Sequence, residues 1–290
     1  MRFDLPTIRH DWKGFAALAD LHAQTEHCFV DDVEIDMQST NWFDADMCAA
    51  FGALLYRLGD SLNTVSLTNI SSKVEKILSK NGFLSHYGRQ RMPDRWETTV
   101  AYQRFNIEDD RYFSSYIEQE FIHRPEMPEM SPGLLKKFRE SVFEIFSNAV
   151  LHSHTELGIF SCGQFFPARN RLDFTVADLG IGIRKNVCDN LQQDLSPVDA
   201  IIWATQEHNT TKRGKVPGGL GLTLLSEFID LNGGHIQIVS DAGYWRRKNR
   251  RTDKSPLCQP FPGTVVSVEI NTADHSSYRL ISESEDDEIF

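Results

Sequence analysis

The sequence predicts an α/β protein built from two modules and a short tail. Stretches typical of strands and of helices alternate over residues 1–90, as expected for a parallel sheet covered by helices. From residue 138 to residue 152, apolar side chains recur at spacings of three and four, which indicates an amphipathic helix with one buried face. We therefore expect one module at residues 1–90, a second at residues 91–275, and an acidic tail at residues 276–290.

The first module contains two strand patterns and two helix patterns. Asp44 or Asp46 is a candidate N-cap for the first helix, because a carboxylate can accept a hydrogen bond from a free N–H of the first turn. The predicted elements are, in chain order, a strand at 33–37, a helix at 47–58, a strand at 64–67 and a helix at 71–78.

The second module has longer helices between strand patterns. Its most clearly marked helix start is Ser196-Pro197-Val198-Asp199, with a capping serine, proline at the first position and an acid in the first turn. The predicted strands are at 98–105, 172–177, 235–240 and 264–270, the last two paired with each other, and the predicted helices are at 112–122, 138–152, 196–206 and 224–231.

Composition excludes several classes of protein. The net charge of −11 argues against a general binder of nucleic acid or anionic membranes. No apolar run approaches the roughly 18 residues that a membrane span needs, and the first residues do not form a signal peptide. The five cysteines are scattered without C-x-x-C spacing, which indicates reduced thiols and a cytoplasmic location.

Three polar residues of the 138–152 helix share one line along its surface. Glu144, Asn148 and His152 follow one another at intervals of four, so they stack on one side of the helix. By themselves they fit a solvated polar face. Two glycine clusters follow in the sequence, one with Gly180 and Gly182 after Asp178, and one with Gly218, Gly219 and Gly221 before Leu222.

The three motifs E-x-x-x-N-A-x-x-H, D-x-G-x-G and G-G-x-G-L, in this order, resemble the nucleotide site of the GHKL (Bergerat-fold) ATPases. The resemblance covers roughly residues 107–271 and implies a two-layer α/β sandwich that binds ATP and Mg²⁺. It implies that Glu144 is the general base, Asn148 the Mg²⁺ ligand and Asp178 the adenine anchor. Thr264, in a Gly-Thr-Val-Val strand, matches the threonine that this family places near adenine.

The residue types suit this chemistry. A carboxylate at position 178 can accept a hydrogen bond from the adenine amino group, and Gly180 and Gly182 let the backbone run close under the base. Glycines 218, 219 and 221 at a helix start offer free N–H groups to phosphate oxygens. An amide oxygen plus phosphates is a plausible Mg²⁺ shell, and a carboxylate one turn away can orient or deprotonate a nucleophile.

The segment before the second glycine cluster corresponds to the ATP lid of that family. It is polar and cationic, and Lys212, Arg213 or Lys215 could contact phosphate. Lys212 is the candidate for the phosphate contact, and a solvated flexible loop is the alternative. His152 matches a histidine of the anti-sigma-factor serine kinases. We find no phosphoacceptor helix and no heptad repeat before residue 107, so a two-component sensor kinase is not expected.

The first module resembles the STAS domain of anti-anti-sigma factors, with a generic α/β module as the competing interpretation. That family carries a regulatory serine directly after an aspartate at a strand end. Here the order is Asp44-Ala45-Asp46, so no hydroxyl stands there. The resemblance implies a module that cannot be phosphorylated at this place, and Asp46 could give the spot a permanent negative charge.

A basic stretch at residues 245–251 stands out in an acidic chain. One interpretation is a docking site for an acidic partner or nucleic acid, with Trp245 as an aromatic contact. The other is an exposed hairpin insertion balanced by acids elsewhere. The acidic tail could fold back onto this stretch.

Two hypotheses of function follow. The first is an ATP-binding regulatory protein that acts as an anti-sigma-factor-like serine/threonine protein kinase or a slow Mg²⁺-dependent ATPase. Its partner would be a STAS-domain or sigma-factor-like regulator. The second is a nucleotide-gated interaction switch without phosphotransfer. A homodimer is possible, and a nucleic-acid partner is not expected.

Overall fold

A computed structural model of the protein describes residues 1–206, 209 and 220–284. It has the predicted α/β fold, with two separate sheets. The first sheet is parallel, with strand order β1-β2-β3, and the second is antiparallel, with strand order β4-β5-β6-β8-β7. No helix in these described ranges is long and apolar enough to cross a membrane.

The first sheet and its helices occupy the beginning of the chain. The two predicted strands and two predicted helices are present, whereas β1 and α1 were not predicted. The elements are β1 (Arg2–Asp4), α1 (Trp12–Thr25), β2 (Asp32–Asp36), α2 (Cys48–Asp60), β3 (Thr64–Thr68) and α3 (Ser72–Lys80).

The second sheet also has the predicted strands. Residues 98–105 do join it, and the last two strands pair as expected, although they run much farther than predicted. Its strands are β4 (Thr99–Phe105), β5 (Ile159–Phe166), β6 (Arg171–Asp178), β7 (His235–Lys248) and β8 (Arg251–Asn271).

Helices cover one face of this sheet. Stacked and edge-on phenylalanines hold them there: the ring centroids of Phe113 and Phe146 lie 4.3 Å apart, and those of Phe121 and Phe174 lie 4.5 Å apart. The helices are α4 (Asp110–Ile117), which continues as a π-helical turn to Ile122, α5 (Pro132–His152), α6 (Gly182–Leu191), α7 (Pro197–Thr205), α8 (Leu220–Asn232) and a short α9 (Ile281–Ser284).

The opposite face of the second sheet is covered by the first module. Helix α1 contacts β8, and α2 contacts β5 and β6 as well as β3. This explains why α2 is buried on nearly all sides from Cys48 to Leu55. The five-stranded sheet therefore lies between two helical layers, one from each part of the chain.

Strand β6 divides its side chains between these two layers. Phe174 and Val176 pack in the core beneath α5, and Asp178 lines a cavity on that same side. Asp173 and Thr175 point the other way, where they contact residues of the first module. This alternation follows from the two-residue period of a strand.

The prediction of a helix cap in the first module is wrong. Neither Asp44 nor Asp46 caps a helix: Asp44 accepts hydrogen bonds from the His10 N–H and the Trp42 indole, and it makes no cap bond to the short 3₁₀ turn that precedes α2. Asp46 is fully buried and accepts a hydrogen bond from Thr175, so any negative charge that it carries lies inside the protein.

The prediction of a surface contact at Trp245 is also wrong. Its side chain is 4 % exposed, because β7 continues through the basic stretch and turns only at Asn249 and Arg250, both with positive φ. Arg246 pairs with Asp253 at 2.6 Å and Arg247 with Asp230 at 2.8 Å. The basic stretch is thus largely an ion-paired β-hairpin.

The described part of the tail lies elsewhere. Glu283 accepts hydrogen bonds from the Ser131 hydroxyl and the Gly133 N–H, at the start of α5. Residues 285–290 fall outside the described ranges, so their predicted contact with the basic stretch stays a prediction.

Candidate functional site

Helix α5 carries three of the predicted site residues. It begins at a capping serine, since the Ser131 hydroxyl accepts a hydrogen bond from the Leu134 N–H at 3.3 Å, and Pro132 occupies the first position. Glu144, Asn148 and His152 then stand one turn apart along the helix and line the same cavity. They do not form a solvated face.

This cavity has a volume of about 160 Å³ and lies between α5 and the second sheet. Apolar side chains form much of its wall, from α5 (Ile145), β6 (Val176), β7 (Ile238) and β8 (Val266). Among the residues predicted from the sequence, the structure brings Glu144, Asn148, Asp178, Gly182, Leu222 and Thr264 to this one cavity.

Asp178 is the buried carboxyl group of the cavity. It ends β6, is 4 % exposed, and its Oδ1 accepts a hydrogen bond from the Gly180 N–H at 2.8 Å. Burial raises the pKa of Asp178 to about 7, although hydrogen bonds from the Gly180 and Thr264 backbone act to lower it. At neutral pH the group is therefore poised between an acid and a carboxylate, and a hydrogen-bond donor beside it would favour the carboxylate.

The loop after Asp178 needs its glycines. A β-carbon at position 180 would overlap the backbone of Ser153, which follows α5, and the Ile181 N–H donates to the Ser153 carbonyl at 2.7 Å. Gly182 has φ +75°, a conformation that side chains disfavour. These two positions let the loop run against the end of α5, so they fix Asp178 relative to Asn148.

Thr264 lies opposite Asp178 in the register of β6 and β8. Its Oγ1 is 3.0 Å from the Ser240 hydroxyl, which also donates to the Gly263 carbonyl at 3.0 Å and accepts from the Ile183 N–H at 2.8 Å. Ser240 thus ties β7, β8 and the start of α6 together behind the cavity.

Sequence reasoning missed Ser240 and three residues that line the cavity. Asn186 donates to the carbonyl of His152 at 3.4 Å, and Asn209 donates to the carbonyl of Trp203 at 2.9 Å. No sequence signal marked Ser240, whose role depends on strand register. Asn186, Trp203 and Asn209 could have been found from the sequence, because all three lie in the segment between the two glycine motifs.

The second glycine motif is described only in part. Lys212, Gly218 and Gly219 lie outside the described residues, and so do Arg213 and Lys215. Gly221 falls in the first turn of α8, and the Leu222 side chain lines the cavity. The predicted phosphate contacts at this motif remain predictions.

Comparison with known proteins gives partial matches. No protein-family model matches the chain. Over 108 residues the chain is 32% identical to the circadian input-output histidine kinase CikA of Synechococcus elongatus, and over 115 residues it is 32% identical to the autoinducer 2 sensor kinase/phosphatase LuxQ of Vibrio harveyi. Each match covers 37% of this chain but only 13% and 12%, respectively, of the relative.

The matches therefore span about an eighth of each relative's length. By name, both relatives are kinases that take part in sensing or in circadian regulation. Neither relative is an anti-sigma factor, so the similarity does not single out that branch. Neither match bears on the resemblance of the first module to STAS domains.

Proposed function

We propose that the second module binds ATP with Mg²⁺ in the cavity beneath α5 and that the protein is a kinase-like regulator. The observation that carries the proposal is the meeting of Glu144, Asn148, Asp178 and Thr264 around one cavity. They come from a helix and two strands that are far apart in the sequence. Their positions agree with the order of motifs that resembles the GHKL ATPases.

The adenine end of the site would lie at Asp178. Its carboxyl group is buried and faces a cavity whose wall is largely apolar, as a purine ring requires. Thr264 lies across the strand pair and adds a hydroxyl at the same end. The buried carboxylate would favour a base that carries a hydrogen-bond donor, because a buried acceptor without a donor costs free energy.

The phosphate end would lie along α5. Asn148 offers an amide oxygen to the cavity, which fits a Mg²⁺ ion that takes most of its ligands from water and phosphate. When bound, the ion would neutralise charge on the phosphates. Glu144 is placed to orient a water or a serine hydroxyl and to accept its proton.

We propose that the reaction is phosphotransfer to a serine or threonine of a STAS-type regulator. Slow ATP hydrolysis, with water as the acceptor, is the simpler alternative. The resemblance of the N motif, including His152, to anti-sigma-factor kinases supports this substrate class. The other candidate is a switch without transfer. One observation favours the switch: β6 carries Asp178 toward the cavity and Asp173 and Thr175 toward the first module, so this strand connects the two physically.

Calorimetric titration with Mg-ATP and a non-hydrolysable analogue tests the site. We expect the wild type to bind both, and Asp178→Asn to bind at least about tenfold more weakly, because it loses a charged acceptor. Asp189→Asn is the matched control, since Asp189 is an exposed residue of α6. Equal ATP affinity of Asp178→Asn and wild type would refute the assignment.

A transfer assay then separates the two candidates. Labelled ATP is supplied together with a STAS-domain protein that carries its regulatory serine, and with the serine-to-alanine form of that protein. Label on the first protein alone supports the kinase. ATP binding that changes complex formation without any label on either protein supports the switch.

A further inference from the structure

Three ionisable side chains meet where the first module covers the back of the second sheet. His10 lies between β1 and α1, Asp46 lies in the 3₁₀ turn before α2, and Asp173 lies in β6. All three side chains are fully buried. They are on the opposite face of β6 from the proposed ATP cavity, and that function leaves them unused.

The distances within this cluster match ligands of a common metal ion. His10 Nδ1 is 3.1 Å from Asp173 Oδ2 and 3.4 Å from Asp46 Oδ2, and the three ligand atoms all lie within 4.8 Å of one another. Two ligands that each lie about 2.1 Å from a metal ion are about 3.0 Å apart at a right angle and about 3.4 Å apart at a tetrahedral angle.

Hydrogen bonding within the protein leaves these groups unsatisfied. In the described part of the chain, neither ring nitrogen of His10 makes a hydrogen bond of acceptable geometry. The same holds for both carboxylate oxygens of Asp173 and for Asp46 Oδ1. Asp46 Oδ2 accepts from the Thr175 hydroxyl at 3.0 Å. Ion-pair contacts with one another and with Arg171 are present, but they do not replace well-formed hydrogen bonds, so a ligand between these buried atoms would be stabilising.

Carboxylates outnumber the arginine around this cluster, so a cation would improve the balance of charge. Arg171 contacts Asp44 and Asp173 at 3.2 Å each and Glu269 at 3.4 Å, and it also interacts electrostatically with Asp46. His235 Nδ1 lies 3.0 Å from a carboxylate oxygen of Glu269. An uncompensated excess of buried negative charge is strongly unfavourable.

We propose that His10, Asp46 and Asp173 bind one divalent transition-metal ion of the Zn²⁺ type, which fastens the first module to the second sheet. One imidazole nitrogen and two carboxylate oxygens form a ligand set that suits Zn²⁺, whereas Mg²⁺ and Ca²⁺ prefer oxygen alone. The Thr175 hydroxyl on Asp46 and the Arg171 guanidinium on Asp173 would hold the two carboxylates in place.

A proton on His10 is the competing source of positive charge. Burial lowers the pKa of His10, but the carboxylates of Asp46 and Asp173 outweigh it and raise the pKa to about 9. In that case the cluster is an ion-pair network with no metal. The two possibilities differ in metal content, which can be measured directly.

The first test is elemental analysis of the full-length chain, purified without chelator and with any histidine tag removed. We expect about one Zn²⁺ per chain. Dialysis against dipicolinate should remove it and lower the midpoint of thermal unfolding, and added Zn²⁺ should restore both. Co²⁺ added to the stripped protein should give visible d–d absorption.

Variants locate the ion. His10→Gln and Asp173→Asn should each weaken Zn²⁺ binding at least about tenfold in titration of the stripped protein. Their matched controls are His27→Gln and Asp189→Asn, at exposed positions, which should bind as the wild type does. Asp178→Asn should also keep its Zn²⁺, so a failed ATP site and a failed metal site are told apart.

The proposal is overturned if the purified chain holds no metal and neither Zn²⁺, Co²⁺ nor Mn²⁺ binds the stripped protein or shifts its unfolding midpoint. It is also overturned if His10→Gln binds Zn²⁺ with wild-type affinity. Should His10→Gln fail to fold, the metal content and chelator response of the wild type decide the matter.

Discussion

Thr264 faces Asp178 directly across the antiparallel pair of β8 and β6, and the Thr264 backbone hydrogen bonds the Asp178 carboxyl. The relationship fixes the buried end of the cavity on two strands of a rigid sheet. The other end is formed by Glu144 and Asn148 on α5. The loop with Gly180 joins the two ends, because it packs against the backbone that follows α5.

Asp178 should make the stability of the nucleotide-free protein depend on pH. Its pKa is about 7 in the folded chain and near 4 in the unfolded chain, so its contribution to stability is full below about pH 4 and is lost as the pH rises through 7. Asparagine has no proton to lose. We expect Asp178→Asn to gain a few kcal/mol relative to the wild type between pH 5 and pH 8.

Guanidinium unfolding at pH 5, 6, 7 and 8 measures this gain. Asp189→Asn is the control and should follow the wild-type curve at every pH. Parallel curves for Asp178→Asn and the wild type would show that Asp178 titrates in the folded protein as it does in the unfolded chain.

Glu144→Ala should separate ATP binding from turnover. The carboxylate acts on the nucleophile and not on the adenine, so we expect Mg-ATP affinity near that of the wild type and a loss of turnover of about 10²- to 10⁴-fold. Phosphate release and calorimetry on the same sample give both values. Glu140→Ala, one turn earlier on α5 and outside the residues that line the cavity, should leave turnover unchanged.

Gly180→Ala should damage the loop between β6 and α6. A β-carbon there would overlap the Ser153 backbone, which cannot move away without disturbing α5. We expect a loss of about 1–3 kcal/mol in the free energy of unfolding, together with weaker ATP binding. Urea denaturation and calorimetry measure the two effects.

Gly59→Ala is the matched control for that variant. Position 59 lies in α2 with nothing within 4 Å of a β-carbon, so alanine should be neutral or stabilise the helix by up to about 1 kcal/mol. If the two variants had the same free energy of unfolding relative to the wild type, the close approach at Gly180 would not contribute to stability.

Trp245→Ala should act on stability. The side chain is 4 % exposed and belongs to the core of the second module, so truncation should cost about 3–5 kcal/mol of unfolding free energy. Trp96→Ala is the control, because Trp96 is 81 % exposed and should change stability by no more than about 0.5 kcal/mol. A loss of stability as small as that of Trp96→Ala would show that Trp245 is exposed and not part of the core.

Local signals in the sequence were sufficient for most elements. Ser196, followed by proline, predicts the start of α7, and the structure confirms this cap. The same signal at Ser131-Pro132 was overlooked, so α5 begins six residues before the predicted start at residue 138. Strand β1 escaped prediction because three residues, Arg2–Asp4, are too few to show a period. Helix α1 did carry signals that were overlooked, namely a cap at Asp11 and apolar residues that include Phe15 and Leu18.

Misassigned residues share a different cause. Trp245 precedes a run of basic residues and Asp46 is itself ionisable, which favours the surface for both. Each is buried because elements distant in sequence cover it, as β6 does for Asp46 through Thr175. Local composition reports the average exposure of a stretch and cannot show which side chain a remote element will cover.

By itself, the sequence determined the α/β class, the periods of the main helices and strands, and the order of the three motifs. These depend on the chain's local geometry, which residue type and spacing control. Only the tertiary structure decided that Ser240 supports Thr264, and that His10, Asp46 and Asp173 meet behind β6. Such meetings depend on strand register and on the packing of two modules, and both arise from contacts between residues far apart in the chain.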